Sequence, residues 1–327
     1  MFDNKRVFIT WWTWTWWEAI INDLLKKYNL KEIIVFSRSE DKQVRLERKL
    51  DNPKVTFILG DIRNKELLLK VTKTSDYIIH LAALKHIIKC EENVSESIWI
   101  NIDGTKNIID VAIENNISKV LYVSTDKAVE PFNLYWNTKS ISEKMIINAN
   151  KDINNSNTVF FIIRAWNILW SNGSILRVLF DQIVNKKPLT ITDLNMRRFY
   201  IKINDVIDLI YYSFNHSKWW EIYILKWEVL SLNDILKIML ELYWNWGELI
   251  EKIGKRKWEK KDEILISNIE VEDTYVINDK YFVIENLGTI SNKTKVKFKE
   301  YSTSTNTYNN LSEIKKYIIE LFNNYEK

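Results

Sequence analysis

From Lys5 to about residue 165 the chain alternates short apolar runs with segments of helical periodicity, joined by short loops. The apolar runs, Lys5 to Thr10, Lys31 to Phe36, Val55 to Leu59, Asp76 to Ala83, Lys119 to Val123 and Phe160 to Ala165, are rich in Val, Ile, Phe and Tyr. Strands alternating with helical patterns predict a parallel, doubly wound α/β sheet. No internal repeat or low-complexity linker separates the two halves. The expected organisation is therefore a first domain over 1–165, a smaller C-terminal lobe over 166–290, and an extension over 291–327 ending in a helix.

The chemistry concentrates between Ser124 and Lys139, S-T-D-K-A-V-E-P-F-N-L-Y-W-N-T-K. The strand before it delivers Thr125, Asp126 and Lys127 to a sheet edge. Tyr135 and Lys139 then stand four residues apart, on one face of a helix. A nearby cation stabilises phenolate, so such a Tyr can act as a base far below its free pKa of about 10. Y-x-x-x-K alone arises by chance in many helices. With S-T-D-K and P-x-N-x-Y attached, the stretch resembles the active centre of an extended short-chain dehydrogenase/reductase, a Rossmann-type fold.

The first turn carries an anomaly. The strand Lys5 to Thr10 runs into Trp11, Trp12, Thr13, Trp14, Thr15, Trp16 and Trp17 and then a helical pattern. Strand, tight loop and helix is the setting of a dinucleotide phosphate loop. Trp11, Trp14 and Trp17 have the spacing of its glycines, which are needed for φ > 0 and for close approach of backbone N–H groups to a pyrophosphate. The chain has 6 Gly and 15 Trp, whereas average usage of about 7% would give roughly 23 Gly. Trp also stands at Trp136, Trp166, Trp170, Trp219, Trp220 and Trp258, where the resembled family carries glycine. The expectation is that many of these are glycines in the living protein, encoded by UGA codons that some bacteria read as glycine. The abundance of Ile, Asn and Lys fits the AT-rich genome in which such recoding arises. A genuine aromatic cluster for sugars or bases is the competing reading.

Strand two ends in Ser37 and Arg38 where an NAD-preferring chain has an acid. A hydroxyl and a guanidinium suit a 2′-phosphate, so NADP is expected. Ala82 and Ala83, at the end of strand four, are small enough to let a cofactor lie close.

With A-A-L-K-H (Ala82 to His86) and S-R-S-E (Ser37 to Glu40) in register, the resemblance sharpens to soluble, inverting UDP-N-acetylglucosamine 4,6-dehydratases of bacterial surface-sugar pathways, over residues 4 to 290. It implies a cofactor site of Thr10, Trp11, Thr13, Trp14, Thr15, Trp16, Trp17, Ser37, Arg38, Asp61, Ile62, Ala82, Ala83, Lys85, Tyr135 and Lys139, with Asp61–Ile62 at the adenine. It implies substrate contacts from Lys85, Thr125, Asn167, Arg198 and Arg256, the two arginines clamping a UDP diphosphate. Lys260 and Glu263 are expected to shape their loop and do no chemistry. Arg197 departs from the family's Thr. The implied mechanism has Tyr135, supported by Lys139, taking the 4-hydroxyl proton as hydride passes to NADP. Lys127 then removes the C5 proton, Asp126 protonates the departing 6-hydroxyl, and hydride returns to C6.

Composition narrows the remaining classes. Hydrophobic content of 46% and charged content of 28% are those of a globular protein, and a net charge of +4 decides no partner. One cysteine, Cys90, excludes an internal disulfide and fits a reducing cytoplasm. No apolar run approaches 20 residues, so no membrane insertion is expected. Three scattered histidines give no metal site. Nucleic acid is disfavoured because basic residues are dispersed among 43 acids. The resemblance implies a homo-oligomer. A nucleotide-sugar 4-epimerase would keep Tyr135 and Lys139 without requiring Asp126–Lys127, and genuine Trp residues would leave a non-catalytic sugar- or protein-binding chain.

Overall fold

The computed structural model describes residues 1–327 except 12–13, 156, 166, 172, 227–228, 243–249, 255–258, 286–293, 307–310 and 326–327, with backbone alone for 14–17 and 323–325. Its first half supplies β1 (Arg6–Thr10), β2 (Glu32–Ser37), β3 (Val55–Leu59), β4 (Tyr77–His80), β5 (Lys119–Ser124) and β6 (Val159–Arg164). These strands are rich in β-branched and aromatic residues, and all but the edge strand β3 are buried at nearly every position, as helix-covered parallel strands are. The crossovers carry α1 (Trp14–Lys27), α2 (Glu40–Leu50), α3 (Lys65–Thr72), α4 (Ile87–Glu92), α5 (Val94–Ile98), α6 (Gly104–Glu114) and α7 (Leu134–Ala149). A single π-helical turn, Trp99–Asp103, joins α5 to α6.

The second half adds β7 (Asn167–Ile168), α8 (Ile175–Val184), β8 (Leu189–Ile191), β9 (Arg197–Ile201), α9 (Ile203–His216), β10 (Ile222–Leu225), β11 (Val229–Ser231) and α10 (Leu232–Leu242). It continues through β12 (Ile250–Lys252), β13 (Ile264–Ile266), β14 (Thr274–Val276), β15 (Tyr281–Ile284), β16 (Thr294–Lys295), β17 (Tyr301–Ser302) and α11 (Leu311–Tyr325). Among the described residues the main sheet has ten strands, ordered β16-β14-β15-β10-β6-β5-β4-β1-β2-β3. Order 3-2-1-4-5-6 with parallel pairing is the doubly wound Rossmann-type sheet the sequence predicts. The far edge is built by the second half of the chain: β10 is parallel to β6, and β15, β14 and β16 follow antiparallel.

The register brings chemistry to one edge. Thr10 pairs with both Phe36 and His80, His80 with Tyr122, and Ser124 with Arg164, so β1, β4, β5 and β6 end together. Ligands of open α/β sheets bind beyond these carboxyl ends.

Among the described residues, two large apolar cores hold the molecule. The larger lines the main sheet, with Phe8, Ile79, Leu121 and Phe161 wholly buried. The smaller packs α8, β8, α10 and α11 through Leu176, Phe180, Ile235 and Met239. Ile314, Ile318 and Phe322 recur every four residues, so one stripe of α11 closes this second core.

Between the two halves runs a buried ion network. Arg164, at the end of β6, donates to both oxygens of Glu143 on α7 (3.0 and 2.8 Å), to Glu270 (3.0 and 2.5 Å) and to the carbonyl of Leu265 on β13 (2.9 Å). It fixes β13 against α7.

Candidate active site

The chain leaves β5 at buried Ser124 and makes one 3-10 turn, Asp126–Ala128. Thr125 caps that turn, its Oγ1 accepting from the Lys127 amide (3.4 Å), and donates to Asp126 Oδ1 (2.6 Å). The short turn folds the Lys127 side chain back on its neighbour, with Nζ 3.1 Å from both Asp126 oxygens. Asp126 is buried, so this ion pair has little competition from water.

Sequence distance hides a third member. Lys127 Nζ also donates to Glu263 Oε1 at 3.3 Å, from just before β13. Glu263 is buried, hydrogen-bonds Asp126, and receives Arg198 Nε at 3.2 Å and Asn167 Nδ2 at 3.1 Å. Its carboxylate joins the turn after β5 to β7 and β9.

Electrostatics set the resting charges. Burial works to raise the Asp126 carboxyl, but the Lys127 charge and hydrogen bonds from Thr125, Glu263 and Lys127 outweigh it and hold it low. Burial works to lower the Lys127 ammonium, but the two carboxylates hold it above its usual value. Burial and Asp126 push Glu263 up to about 7 against the opposing charges of Lys127 and Arg198. The resting pair is carboxylate and ammonium.

Tyr135 enters at the start of α7, which Asn133 caps by accepting from the Trp136 amide (2.9 Å). The phenol is buried with Cys90 and Trp136, and burial pushes it up to about 12. The cation acting on it is Lys127. Lys139, expected to support the phenol, instead donates to the Val123 carbonyl (3.0 Å) and lies 4.1 Å over the Tyr122 ring. Burial brings this amine down to about 7, opposed by Glu143. The reason is the strand behind the helix: Lys139 faces β5, whose last carbonyls offer the nearest acceptors.

The cofactor side is ordered by one relay. Thr105 donates its hydroxyl to the Asn101 carbonyl (2.6 Å), so it accepts from His80 Nε2 (3.2 Å), and His80 Nδ1 accepts from Thr10 (2.7 Å). Burial brings His80 down to about 3, so it is neutral. Thr10 also accepts from the amides of Leu81 and Ala82 (3.1 and 3.2 Å). Its hydroxyl, expected at a cofactor, thus sets the shape of the crevice floor beside buried Ala82 and Ala83. Asn101 holds the next residues, exchanging hydrogen bonds with Leu84 and reaching Thr138 on α7.

At the ends of β1 and β2, Trp11, Ser37, Arg38, Ser39 and Lys42 line a cavity of ≈ 260 Å³. Ser37 is buried and bonded to Gln43 (3.0 Å), while Arg38 pairs with Asp61 at 3.4 Å. Asp61 also forks onto Arg63, and Ile62 is buried beneath Gly104. Lys42, in the first turn of α2, is a second cation in this cavity that the sequence reading missed. The helical pattern after S-R-S-E is the signal that points to it. Thr13 and the side chains of Trp14, Thr15, Trp16 and Trp17 lie outside the described residues, as do Trp166, Arg256 and Trp258.

On the other side, a cavity of ≈ 270 Å³ is lined by Lys85, Asn167, Ser174, Thr192, Arg198 and Tyr200. The first turn of α8 opens beside it, and helix starts favour anions. Lys85 is lowered by burial and by Lys127 and Lys42. Arg198 differs from the expected free fork. Its donors go to Glu263, to the carbonyls of Arg197, Lys260 and Lys261, and to Met196 sulfur, so it lines the cavity as an anchored charge.

Known proteins place this geometry. Residues 7–285 match the family described as polysaccharide biosynthesis protein. A UDP-glucose 4-epimerase of Rickettsia akari is 34% identical over 98% of this chain and 97% of its own. The X-ray structure of Pen from Bacillus thuringiensis superposes with a TM-score of 0.91 at 32% identity, covering 98% of both chains. DesIV, a dTDP-glucose 4,6-dehydratase from Streptomyces venezuelae solved with NAD and TYD bound, shares the fold at TM-score 0.70 and 19% identity, over 78% of this chain and 86% of its own. The chain belongs to the polysaccharide biosynthesis protein family, and is an enzyme of the short-chain dehydrogenase/reductase type that includes nucleotide-sugar dehydratases and epimerases.

Proposed function

We propose that the protein is a configuration-inverting UDP-N-acetylglucosamine 4,6-dehydratase that uses NADP in the synthesis of bacterial surface glycans or flagellin sugars. The observation that carries this reading is the buried Asp126–Lys127 pair beside Tyr135. Proton removal at a sugar C4 needs one base, whereas loss of water across C5 and C6 needs a further base and an acid.

The adenosine half of the crevice fits NADP: Arg38 and Lys42 line a cavity at the end of β2, where a 2′-phosphate would lie. When bound, the nicotinamide supplies reversible hydride transfer. Tyr135 takes the 4-hydroxyl proton, with the Lys127 charge favouring the phenolate. The C4 ketone acidifies C5–H, which Lys127 removes while Asp126 protonates the leaving 6-oxygen. Lys127 must first shed the proton it carries at rest. Lys85, Arg198 and the α8 start bind the anionic diphosphate, with Asn167 and Thr125 shaping the wall.

Glycine at the motif Trp positions is part of the proposal. Trp170 has φ +70°, a left-handed conformation that costs a bulky residue about 1–2 kcal/mol. Trp136 is buried with Nε1 unpartnered, directly behind Tyr135. Peptides from the native host should carry Gly at Trp11, Trp14, Trp17, Trp136 and Trp170, encoded by UGA; UGG codons there would sink this part. A cytoplasmic homo-oligomer completes the reading. No helix among the described residues is long and apolar enough to cross a membrane.

A second reading is 4-epimerisation, favoured by the name of the Rickettsia relative. Turnover in deuterium oxide separates the two. Dehydration installs deuterium at C5, and epimerisation leaves C5 untouched.

A further inference from the structure

Glu263 joins the turn after β5 to the cavity side of the site, yet its own main chain lies outside the main sheet. The strand that follows it, β13, has three residues and pairs, among the described residues, with β17 in a separate two-stranded sheet. β17 comes from the C-terminal extension, beyond the 7–285 stretch that matches the family. The place from which Glu263 reaches Lys127 therefore depends on residues 301–303.

Thr303 makes the closest attachment, and it is wholly buried. Its amide donates to the Glu263 carbonyl (2.9 Å). Its Oγ1 accepts from the Glu263 amide (2.9 Å) and donates to Asp262 Oδ1 (3.0 Å). The same Asp262 oxygen accepts from Arg197 Nε (2.7 Å) on β9, and the Arg197 amide donates to the Lys261 carbonyl (3.0 Å). Tyr301 stacks on Phe199, next to Arg198 on β9, with 5.3 Å between ring centroids. Both polar main-chain groups of Glu263 thus end on one residue, and a single hydroxyl spaces β17 from the Asp262–Glu263 corner. The Glu263 carboxyl then meets Lys127 Nζ at 3.3 Å and Arg198 Nε at 3.2 Å. A shift of about 1 Å would break such contacts, and misplacement of that size can cost about 10²-fold in rate.

We propose that Thr303 is a positioning residue for the candidate site. Its hydroxyl holds the main chain from which Glu263 orients Lys127 against Asp126, so the C-terminal extension is part of the machinery for elimination across C5 and C6. No bond to Thr303 is made or broken. The inference deepens the dehydratase reading and rests on it for the step affected.

The test compares Thr303→Val, which keeps the shape and removes the hydroxyl, with Thr303→Ser, which keeps the hydroxyl. The first readout needs no substrate. The full chain is acetylated competitively with acetic anhydride, and Lys127 is followed against the other lysines by mass spectrometry. Glu263→Ala sets the scale. Lys127 should be labelled faster than in the wild type in Glu263→Ala and Thr303→Val, and at the wild-type rate in Thr303→Ser. Asp262→Ala, at a partly exposed residue, removes the acceptor that orients the hydroxyl and should act in the same direction. It keeps the test in force if Thr303→Val does not fold. An unchanged Lys127 rate in Glu263→Ala, or in Asp262→Ala and every folded Thr303→Val sample, overturns the inference. So does a rise shared by all the lysines, or a Thr303→Ser chain labelled as fast as Thr303→Val.

The second readout is kinetic, in the Trp11→Gly/Trp14→Gly/Trp17→Gly/Trp136→Gly chain with UDP-N-acetylglucosamine and NADP. Thr303→Val should slow deuterium uptake at C5 by about 10–100-fold while the single-turnover rise of reduced cofactor stays within about twofold of the parent. Thr303→Ser should recover most of the rate. Equal loss in both steps would make Thr303 a merely structural residue and overturns the inference. A parent that does not turn over this substrate removes the dehydratase reading, and the labelling result then decides the inference by itself.

Discussion

Lys127 and Asp126 are neighbours in sequence, yet the Lys127 ammonium lies 3.1 Å from both oxygens of the Asp126 carboxylate. Adjacent side chains in a strand point to opposite faces. It is the 3-10 turn capped by Thr125 that folds them together at the edge of the sheet. The same ammonium is the cation acting on Tyr135, so in the proposed mechanism one residue serves two chemical steps.

That double role sets the first prediction. Tyr135→Phe removes the base for the first oxidation and should abolish transient reduced cofactor along with turnover. Lys127→Ala should still give a single-turnover rise in reduced-cofactor absorbance, slowed by loss of the charge near the phenol. Elimination should fall by about 10²–10⁴-fold, typical of a positioned acid or base. Full dehydratase turnover in Lys127→Ala would show that another group takes the C5 proton.

In the proposed reading cofactor choice depends on Arg38 and Lys42, which line the cavity at the end of β2. The Trp11→Gly/Trp14→Gly/Trp17→Gly/Trp136→Gly variant should bind NADP more tightly than NAD. Adding Arg38→Ala and Lys42→Ala should each erode the preference, by about tenfold for roughly 1.4 kcal/mol. Equal affinity for the two cofactors before either change would contradict the assignment.

The Arg164 network makes a stability claim. Glu143 and Arg164 are both buried, and removing the guanidinium leaves Glu143 without its ion-pair partner. Arg164→Met should therefore cost about 3–5 kcal/mol in denaturant unfolding. A cost below about 1 kcal/mol would mean that water reaches the Glu143 carboxylate.

A pH dependence follows from Glu263. Its folded value of about 7 lies above the ordinary 4.5, so between these the folded protein binds more protons than the unfolded chain. This group's contribution to stability is therefore complete below 4.5 and is lost as pH rises through about 7. Glu263→Gln should flatten that fall in chemical denaturation followed across the window. A wild-type profile with no decline there would show Glu263 to be ionised throughout.

The sheet was legible because each of its first six strands is a largely apolar run, and the candidate catalytic stretch because its residues lie within sixteen positions of one another. Glu263 was read as shaping its loop, and its contact with Lys127 was not legible. It stands 136 residues from Lys127, and only the pairing of β13 with β17 and the Arg164 tether bring it to the site. The mispointing of Lys139 had no sequence signal, since i,i+4 spacing fixes a shared helix face but not which acceptor a long side chain reaches. Arg198 was found as a cation, but its saturation by backbone carbonyls depends on how the 260–261 segment lies.

One product analysis separates dehydration from epimerisation. The fourfold Trp→Gly variant is incubated with UDP-N-acetylglucosamine and catalytic NADP in deuterium oxide, and the sugar is followed by NMR. The expected result is a 4-keto-6-deoxy product with inverted C5, deuterium at C5 and no accumulation of reduced cofactor. A 4-epimer that keeps its 6-hydroxyl and its C5 hydrogen would contradict it.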